Sequence, residues 1–90
     1  MSRPKKPRHC GCNMKGQAYK PTGTPLNQLE HIAIEQDELE ALKLSDYDGL
    51  TQAQAGKKMG ISRGTVQRLL TLARKKVAKG LLEGAALILK

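Results

Sequence analysis

Residues 50–70, LTQAQAGKKMGISRGTVQRLL, constrain the fold most, because they have the pattern of two helices joined by a tight turn. Thr51 can cap the first helix, and Gln54 follows three residues later to complete a capping box. Gly60 can adopt the left-handed backbone that ends this helix, and Ser62 can cap the second. Two short helices joined by a turn that contains glycine predict a helix-turn-helix.

The composition favours a small, mainly α fold. Ninety residues allow one small domain, and the absence of Phe and Trp makes its core aliphatic. We therefore expect a small helix-turn-helix bundle with an extended basic N-terminal arm. A short two-stranded β element is a further expectation for this fold.

The charge falls into three blocks. Residues 1–20 carry six Lys or Arg and no acid, whereas residues 21–50 carry seven acids and one Lys. Residues 51–90 carry nine Lys or Arg and one Glu, which gives a net charge of +8 for the whole chain. A basic block that contains a helix-turn-helix predicts double-stranded DNA as the partner.

Residues 1–24 contain three of the four prolines and show no helical or strand period. They predict a flexible, extended arm ahead of a folded domain that spans residues 25–90. The basic residues of its first part are Arg3, Lys5, Lys6 and Arg8. These side chains either contact DNA phosphates and the minor groove or belong to a solubilising tail, and the sequence leaves both open.

Two short segments have strand character. HIAIE at 31–35 alternates polar and β-branched apolar residues, and AALIL at 85–89 is an apolar run that follows Gly84. They could pair within one chain or across a dimer, or AALIL could continue the last helix. The glycine favours the strand.

The segment 37–46, DELEALKLSD, predicts a helix. Its apolar side chains are Leu39, Ala41, Leu42 and Leu44. We expect Tyr47 to pack at its end, Gly49 to stop it, and Glu38 and Glu40 to project outward as solvated surface.

Helical spacing divides the second helix of the motif into two faces. The inward positions are Val66, Leu69, Leu70, Ala73 and Val77. The outward positions are Arg63, Gly64, Gln67, Arg68 and Thr71. Arg63 and Arg68 can pair with guanine and Gln67 with adenine in the major groove. Ser62 and Thr65 either contact phosphate or cap the helix.

The same helix continues into a basic band suited to contact with the DNA backbone. Its members are Arg74, Lys75, Lys76 and Lys79. Three leucines, Leu72, Leu81 and Leu82, either close the core or supply a dimer contact. In the first helix of the motif, Gly56 lies beside Ala55 and Met59, where a small residue allows close approach of the two helices.

The segment DELEALKLSDYDGLTQAQAGKKMGISR resembles the pattern DELEALRLADYEGLSQEEAAERMGVSR of domain-of-unknown-function family 134, a mainly bacterial and archaeal family predicted to bind DNA. It is also known as uncharacterised protein family 0251. MSRPKKPR and YKPTGTPL resemble that family too. The helix-turn-helix is similar to sigma factor region four, within the winged-helix-like DNA-binding superfamily, which implies groove contacts from Arg63, Gly64, Gln67 and Arg68. Gly56 replaces the more usual alanine, which we expect to cost some helix stability.

His9, Cys10 and Cys12 form the segment HCGC within the basic arm. One chain could bind a metal ion through these residues and His31, or a dimer could bring four thiolates together. The alternative is a pair of reduced thiols without a ligand. Apart from this metal, the sequence implies no cofactor.

The sequence also favours a cytoplasmic protein. No apolar run is long enough to span a bilayer, and the N-terminus lacks the pattern of a signal peptide. An enzyme is not expected, because no nucleophile, base and oxyanion arrangement can be assembled from these residues.

Taken together, these patterns predict sequence-specific DNA binding by a transcription regulator, as a homodimer on a repeated half-site. One alternative is an adaptor that binds RNA polymerase or another regulator through the acidic helix. The other is a metal or redox sensor that uses Cys10 and Cys12.

Overall fold

The computed structural model of the chain describes residues 16–90. The helices are α1 (Gln36–Leu42), α2 (Gln52–Met59) and α3 (Arg63–Glu83). The strands are β1 (Ala18–Tyr19), β2 (His31–Ile34) and β3 (Ala86–Leu89). A 3-10 turn at Leu26–Gln28 precedes β2, and a π-helical turn at Lys43–Tyr47 extends α1. The mainly helical fold with a small β element is thus confirmed.

The three strands form one mixed sheet with β3 in the centre, in the order β1-β3-β2. β2 runs parallel to β3, with Ile32 opposite Leu87. The predicted pairing of residues 31–35 with 85–89 is therefore confirmed, and it occurs within one chain. Parallel pairing is possible because α1, α2 and α3 form the long crossover that it requires.

The strand β1 was not predicted, because two residues are too short to show a period. Ala18 lies opposite Ile88 in an antiparallel pair. The backbone N–H of Gly16 also donates to the Leu89 carbonyl at 2.7 Å. Residues 16–19 therefore belong to the folded domain, although we expected the arm to continue to Thr24.

The π-helical turn changes the end of the first helical segment. The N–H of Asp48 donates to the Lys43 carbonyl, five residues earlier, at 2.8 Å. This wider turn leaves Leu44 buried but Tyr47 84 % exposed. The expectation that Tyr47 packs at the helix end was wrong, because it assumed α-helical spacing up to that residue.

The helix-turn-helix has the caps that the sequence predicts. Thr51 and Gln54 form the reciprocal capping box, with bonds of 3.1 and 2.9 Å. Gly60 has φ +74°, and the N–H of Ile61 donates to the Gly56 carbonyl at 2.9 Å, which completes a Schellman motif. Ser62 Oγ then accepts from the Thr65 N–H at 3.2 Å.

The core lies between α1 with its π-helical turn, α2 and the first half of α3. Its buried members are Ala41, Leu44, Ala55, Val66 and Leu70. The later part of α3 packs against the sheet, where a Cβ on Gly80 would come 2.6 Å from Leu87 Cδ2. α3 is thus fixed to α1 and α2 near its start and to β3 near its end. None of the helices in residues 16–90 has the length and apolar character to cross a bilayer.

Candidate nucleic-acid interface

The first half of α3 carries an exposed polar face. All five residues that helical spacing places outward are exposed in the structure, namely Arg63, Gly64, Gln67, Arg68 and Thr71. Opposite them, Val66 and Leu70 are fully buried, which fixes the rotation of the helix. Thr71 uses its hydroxyl to donate to the Gln67 carbonyl at 2.9 Å. Within residues 16–90, Arg63 and Arg68 form no ion pair.

Ser62 and Thr65 hold the start of α3. Their hydroxyl oxygens lie 2.9 Å apart, in addition to the cap bond from the Thr65 N–H to Ser62 Oγ. Of the two roles that the sequence left open for this pair, the structure shows capping. The cap orders the first turn of α3, on which Arg63 and Gly64 are carried.

The second half of α3 is different, because three of its four cations are paired with acids, most of which come from other parts of the chain. Arg74 makes a bidentate pair with Asp46, with Nε and a terminal nitrogen donating at 2.9 and 2.6 Å. The hydrogen bond from this guanidinium holds the pKa of Asp46 below its usual value. The same bond raises the pKa of Arg74.

Lys76 lies on the side of α3 that faces α1 and β2, with its side chain 28 % exposed. Its ammonium donates to Glu38 Oε1 at 2.7 Å and to the Ala33 carbonyl at 2.8 Å. Glu38 is only 4 % exposed, and its carboxylate also accepts from the Glu35 N–H. The expectation that Glu38 projects outward as solvated surface was therefore wrong. Lys76, which the sequence places in a basic band for contact with the DNA backbone, binds this carboxylate instead.

Lys79 is also paired within the domain. Its ammonium lies 2.7 Å from Glu30 and 3.1 Å from Glu83. Hydrogen bonds to Glu30 and then to Glu83 raise the pKa of Lys79. Of the four residues of the predicted basic band, Lys75 alone is exposed without an ion pair to any residue that the structure describes.

Two basic residues on α2 extend the positive surface and were not predicted as site residues. Lys57 and Lys58 are exposed in the last turn of the helix and line a shallow depression with Leu50 and Gln54. The sequence signal was present, since no acid occurs from residue 51 to residue 82. The cations that the described residues leave uncompensated on α2 and α3 are Lys57, Lys58, Arg63, Arg68 and Lys75.

The leucines at the end of α3 are exposed. Leu81 and Leu82 are 74 % and 86 % exposed, and Leu72 is also on the surface. They do not close the core of a single chain, so a dimer contact through them stays a prediction. They follow the polar outward face at the C-terminal end of the same helix.

The predicted arm and cysteine residues lie outside the described part of the chain. They are Arg3, Lys5, Lys6, Arg8, His9, Cys10 and Cys12. His31, considered as a further ligand, places its Nε2 2.9 Å from the Leu26 carbonyl. In residues 16–90 no three His, Cys, Asp or Glu side chains form a group that could hold a metal ion.

The family profile described as "Protein of unknown function DUF134" matches residues 1–90. The chain belongs to this family. A UPF0251 protein of Vibrio vulnificus is 49 % identical over 89 residues, which covers 99 % of this chain and 89 % of the relative. A UPF0251 protein of Shewanella pealeana is 51 % identical, with 99 % and 93 % of the two chains covered.

A more distant UPF0251 protein, from Halothermothrix orenii, is 41 % identical over 87 residues and is longer, since the match covers 64 % of its length. No solved structure matches the chain. The similarity to sigma factor region four therefore stays a prediction from the sequence.

The structure gives a physical reason for a glycine at position 56. A Cβ on Gly56 would lie 2.6 Å from the Ile61 carbonyl oxygen and 3.4 Å from Val66 Cγ2. The glycine thus lets α2 approach the turn and the first part of α3 closely. Its lower helix propensity is offset, in this chain, by the contact that an alanine would disturb.

Proposed function

We propose that this member of the DUF134 family binds double-stranded DNA sequence-specifically through its helix-turn-helix, as a transcription regulator. The observation that supports this most is the exposed face at the start of α3. There, guanidinium and amide side chains project from one side of a rigid helix without an intramolecular ion pair to any described residue. These groups suit the hydrogen-bonding edges of bases in the major groove.

Each side chain has a specific role in this proposal. Arg63 and Arg68 donate bidentately to guanine, and Gln67 pairs with adenine through its amide. Gly64 has no side chain, so the helix backbone can approach the bases closely at this position. The space around it is open, since no heavy atom lies within 4 Å of the position of a Cβ. Lys57 and Lys58 on α2, together with Lys75, supply the sequence-independent attraction to phosphate.

The test is a selection from a random duplex library with the full chain, followed by anisotropy titrations on the enriched sequence. We expect an enriched motif. Gln67→Ala and Arg68→Ala should each weaken binding to it by about 1–3 kcal/mol, with a much smaller change on a scrambled duplex. Lys90→Ala is the charge-matched control for Arg68→Ala, since it removes one positive charge after β3, outside the helix-turn-helix.

Equal loss on the selected and scrambled duplexes would rule out base readout by these two residues. Failure to enrich any motif, with little affinity at physiological salt, would overturn the proposal and favour the adaptor function. Sedimentation of the free and DNA-bound protein tests the predicted homodimer, for which the exposed Leu81 and Leu82 are the contact to substitute.

A further inference from the structure

Arg74 shares the outward face of α3 with the proposed base-reading residues. It follows Gln67 by seven residues and Arg63 by eleven, separations close to two and three whole turns of an α-helix. Lys76 and Lys79, by contrast, project toward β2 and Glu30. Of the three paired cations of α3, Arg74 is therefore the one that could reach DNA.

In the free protein the carboxylate of Asp46 forms an ion pair with the guanidinium of Arg74. Its two carboxylate oxygens accept from Nε and a terminal nitrogen at 2.9 and 2.6 Å. This fork is the same geometry by which arginine binds a phosphate group. A DNA phosphate would have to bind the same two N–H groups of Arg74 that donate to Asp46.

The position of Asp46 is fixed by the fold. It lies in the π-helical turn, two residues after the buried Leu44, which belongs to the same core cluster as Leu70 of α3. Yet the pair itself is open to solvent, with the side chains of Arg74 and Asp46 55 % and 39 % exposed. An exposed pair is weak, so a phosphate can replace the carboxylate without disturbing the core.

We propose that Asp46 is an internal competitor of DNA phosphate for Arg74, so that the acidic segment restrains the sequence-independent part of DNA affinity. This inference rests on the proposed function, because it assumes that the outward face of α3 meets DNA. Arg74 is then a phosphate-binding residue in the complex, and Asp46 sets how readily it is released. The base-reading residues are unaffected by this exchange.

The experiment measures anisotropy of a labelled 30-bp duplex of scrambled sequence with the full chain at several NaCl concentrations. Asp46→Asn keeps the shape of the side chain and removes the charge. It should raise affinity about three- to fivefold at low salt, the upper range for releasing an exposed ion pair. The logarithmic salt dependence should be the same for the wild type and Asp46→Asn, because Arg74 contacts one phosphate in both complexes. Arg74→Ala should make it shallower by about 0.9, the value for one phosphate contact.

Two variants separate competition from a general change in charge. Asp48→Asn also removes one negative charge, from a carboxylate that pairs with Lys43 at 2.7 Å. It should change affinity by less than about twofold and leave the salt slope unaltered. Arg74→Ala alone should change the DNA affinity of the protein little. In the double variant with Asp46→Asn, it should abolish the gain in affinity that Asp46→Asn gives alone.

The inference is overturned if Asp46→Asn equals Asp48→Asn, if it weakens binding, or if its gain survives in the double variant. If the wild type binds and Arg68→Ala weakens it while Asp46→Asn has no effect, the proposed function stands and this inference falls. If neither the wild type nor Asp46→Asn binds any duplex, both fall.

A measurement on the unmodified chain removes dependence on whether the variants fold. The Nε–H resonance of Arg74, followed by nitrogen-15 NMR, should shift on addition of the duplex, because its acceptor changes from carboxylate to phosphate. An Arg74 resonance that stays unchanged while the duplex binds would contradict the exchange.

Discussion

The two halves of α3 are both basic but have different surroundings. Each half is rich in Lys and Arg, but the half that begins at Arg63 leaves its cations exposed and unpaired with the described residues. The half that follows Thr71 has three of its four cations paired with acids of the acidic block or of α3 itself. A basic helix is thus divided into a part free for a partner and a part used mainly for folding.

The comparison shows that the role of a charge depends on where its counterion lies in space. Arg68 and Lys76 are both basic residues eight positions apart on one helix. Arg68 is exposed, whereas Lys76 is directed into the junction of α1, β2 and α3 by Glu38. On the helices of residues 16–90, the positive charge that no described acid compensates is therefore concentrated on α2 and α3, at Lys57, Lys58, Arg63, Arg68 and Lys75.

The largest expected effect comes from removing a cation of the folding half. Lys76→Ala leaves the buried Glu38 carboxylate without its ion-pair partner, and we expect a loss of about 2 kcal/mol in the free energy of unfolding. Urea denaturation at pH 7 measures it. Lys79→Ala is the control and should cause little change, because its pairs are exposed.

The same pair of halves can be compared by a second measurement. When its DNA affinity is calculated for the folded fraction only, Lys76→Ala should bind DNA as the wild type does. Arg68→Ala should bind DNA more weakly and should unfold at the same urea concentration as the wild type. Lower stability of Arg68→Ala, or weaker DNA binding by fully folded Lys76→Ala, would contradict the assignment of different roles to the two halves of α3.

A smaller effect on stability is expected at the contact between α2 and the turn that precedes the first half of α3. Gly56→Ala brings a Cβ within 2.6 Å of the Ile61 carbonyl, a backbone atom that can move only with the turn. The gain in helix propensity and the cost of overpacking oppose each other, and we expect a net loss of about 1 kcal/mol. Thermal unfolding followed by circular dichroism measures this loss.

Gly64→Ala is the matched control for that substitution. No heavy atom lies within 4 Å of the Cβ position, so the helix propensity of alanine should stabilise the protein by up to about 1 kcal/mol. Its methyl group, however, would lie on the proposed groove-facing surface and should weaken DNA binding. Stabilisation by Gly56→Ala would contradict the close approach of α2 to the turn.

The smallest effect is a pH dependence at the boundary between the halves. Because Arg74 lowers the pKa of Asp46, the pair contributes stability above the pKa of an unfolded Asp, about 4, and loses it as the pH falls further. The wild type should exceed Asp46→Asn by less than about 1 kcal/mol at pH 7, since the pair is exposed. The difference should shrink toward pH 3.

Arg74→Gln should show the same loss at pH 7 and the same narrowing toward low pH, since either substitution removes one pair. Urea midpoints of the three proteins between pH 3 and pH 7 provide the measurement. A gap between wild type and Asp46→Asn that widens on acidification would contradict the direction of the pKa shift.

Local signals in the sequence were sufficient to predict the helix-turn-helix. The capping box at Thr51, the left-handed Gly60 and the cap at Ser62 each depend on residues within a few positions of one another, so propensity and hydrogen-bonding geometry determine them. The outward residues of α3 followed from helical spacing alone. The strand character of residues 85–89 followed from Gly84, which ends the helix; the observed strand is Ala86–Leu89.

The missed features depend on contacts distant in sequence. The pairs of Glu38 with Lys76 and of Asp46 with Arg74 join residues 38 and 28 positions apart, which no local pattern specifies. β1 is visible only through its pairing with β3. The exposure of Tyr47 follows from the π-helical turn, whose hydrogen-bond pattern departs from the α-helical spacing that the interpretation assumed.

The central place of β3 in the sheet has a consequence for the order of events during synthesis. β1 and β2 pair only with β3, which follows every other described element in the chain. Neither strand can therefore pair until β3 has been synthesised. That pairing closes loops of about fifty and seventy residues and fixes the far end of α3.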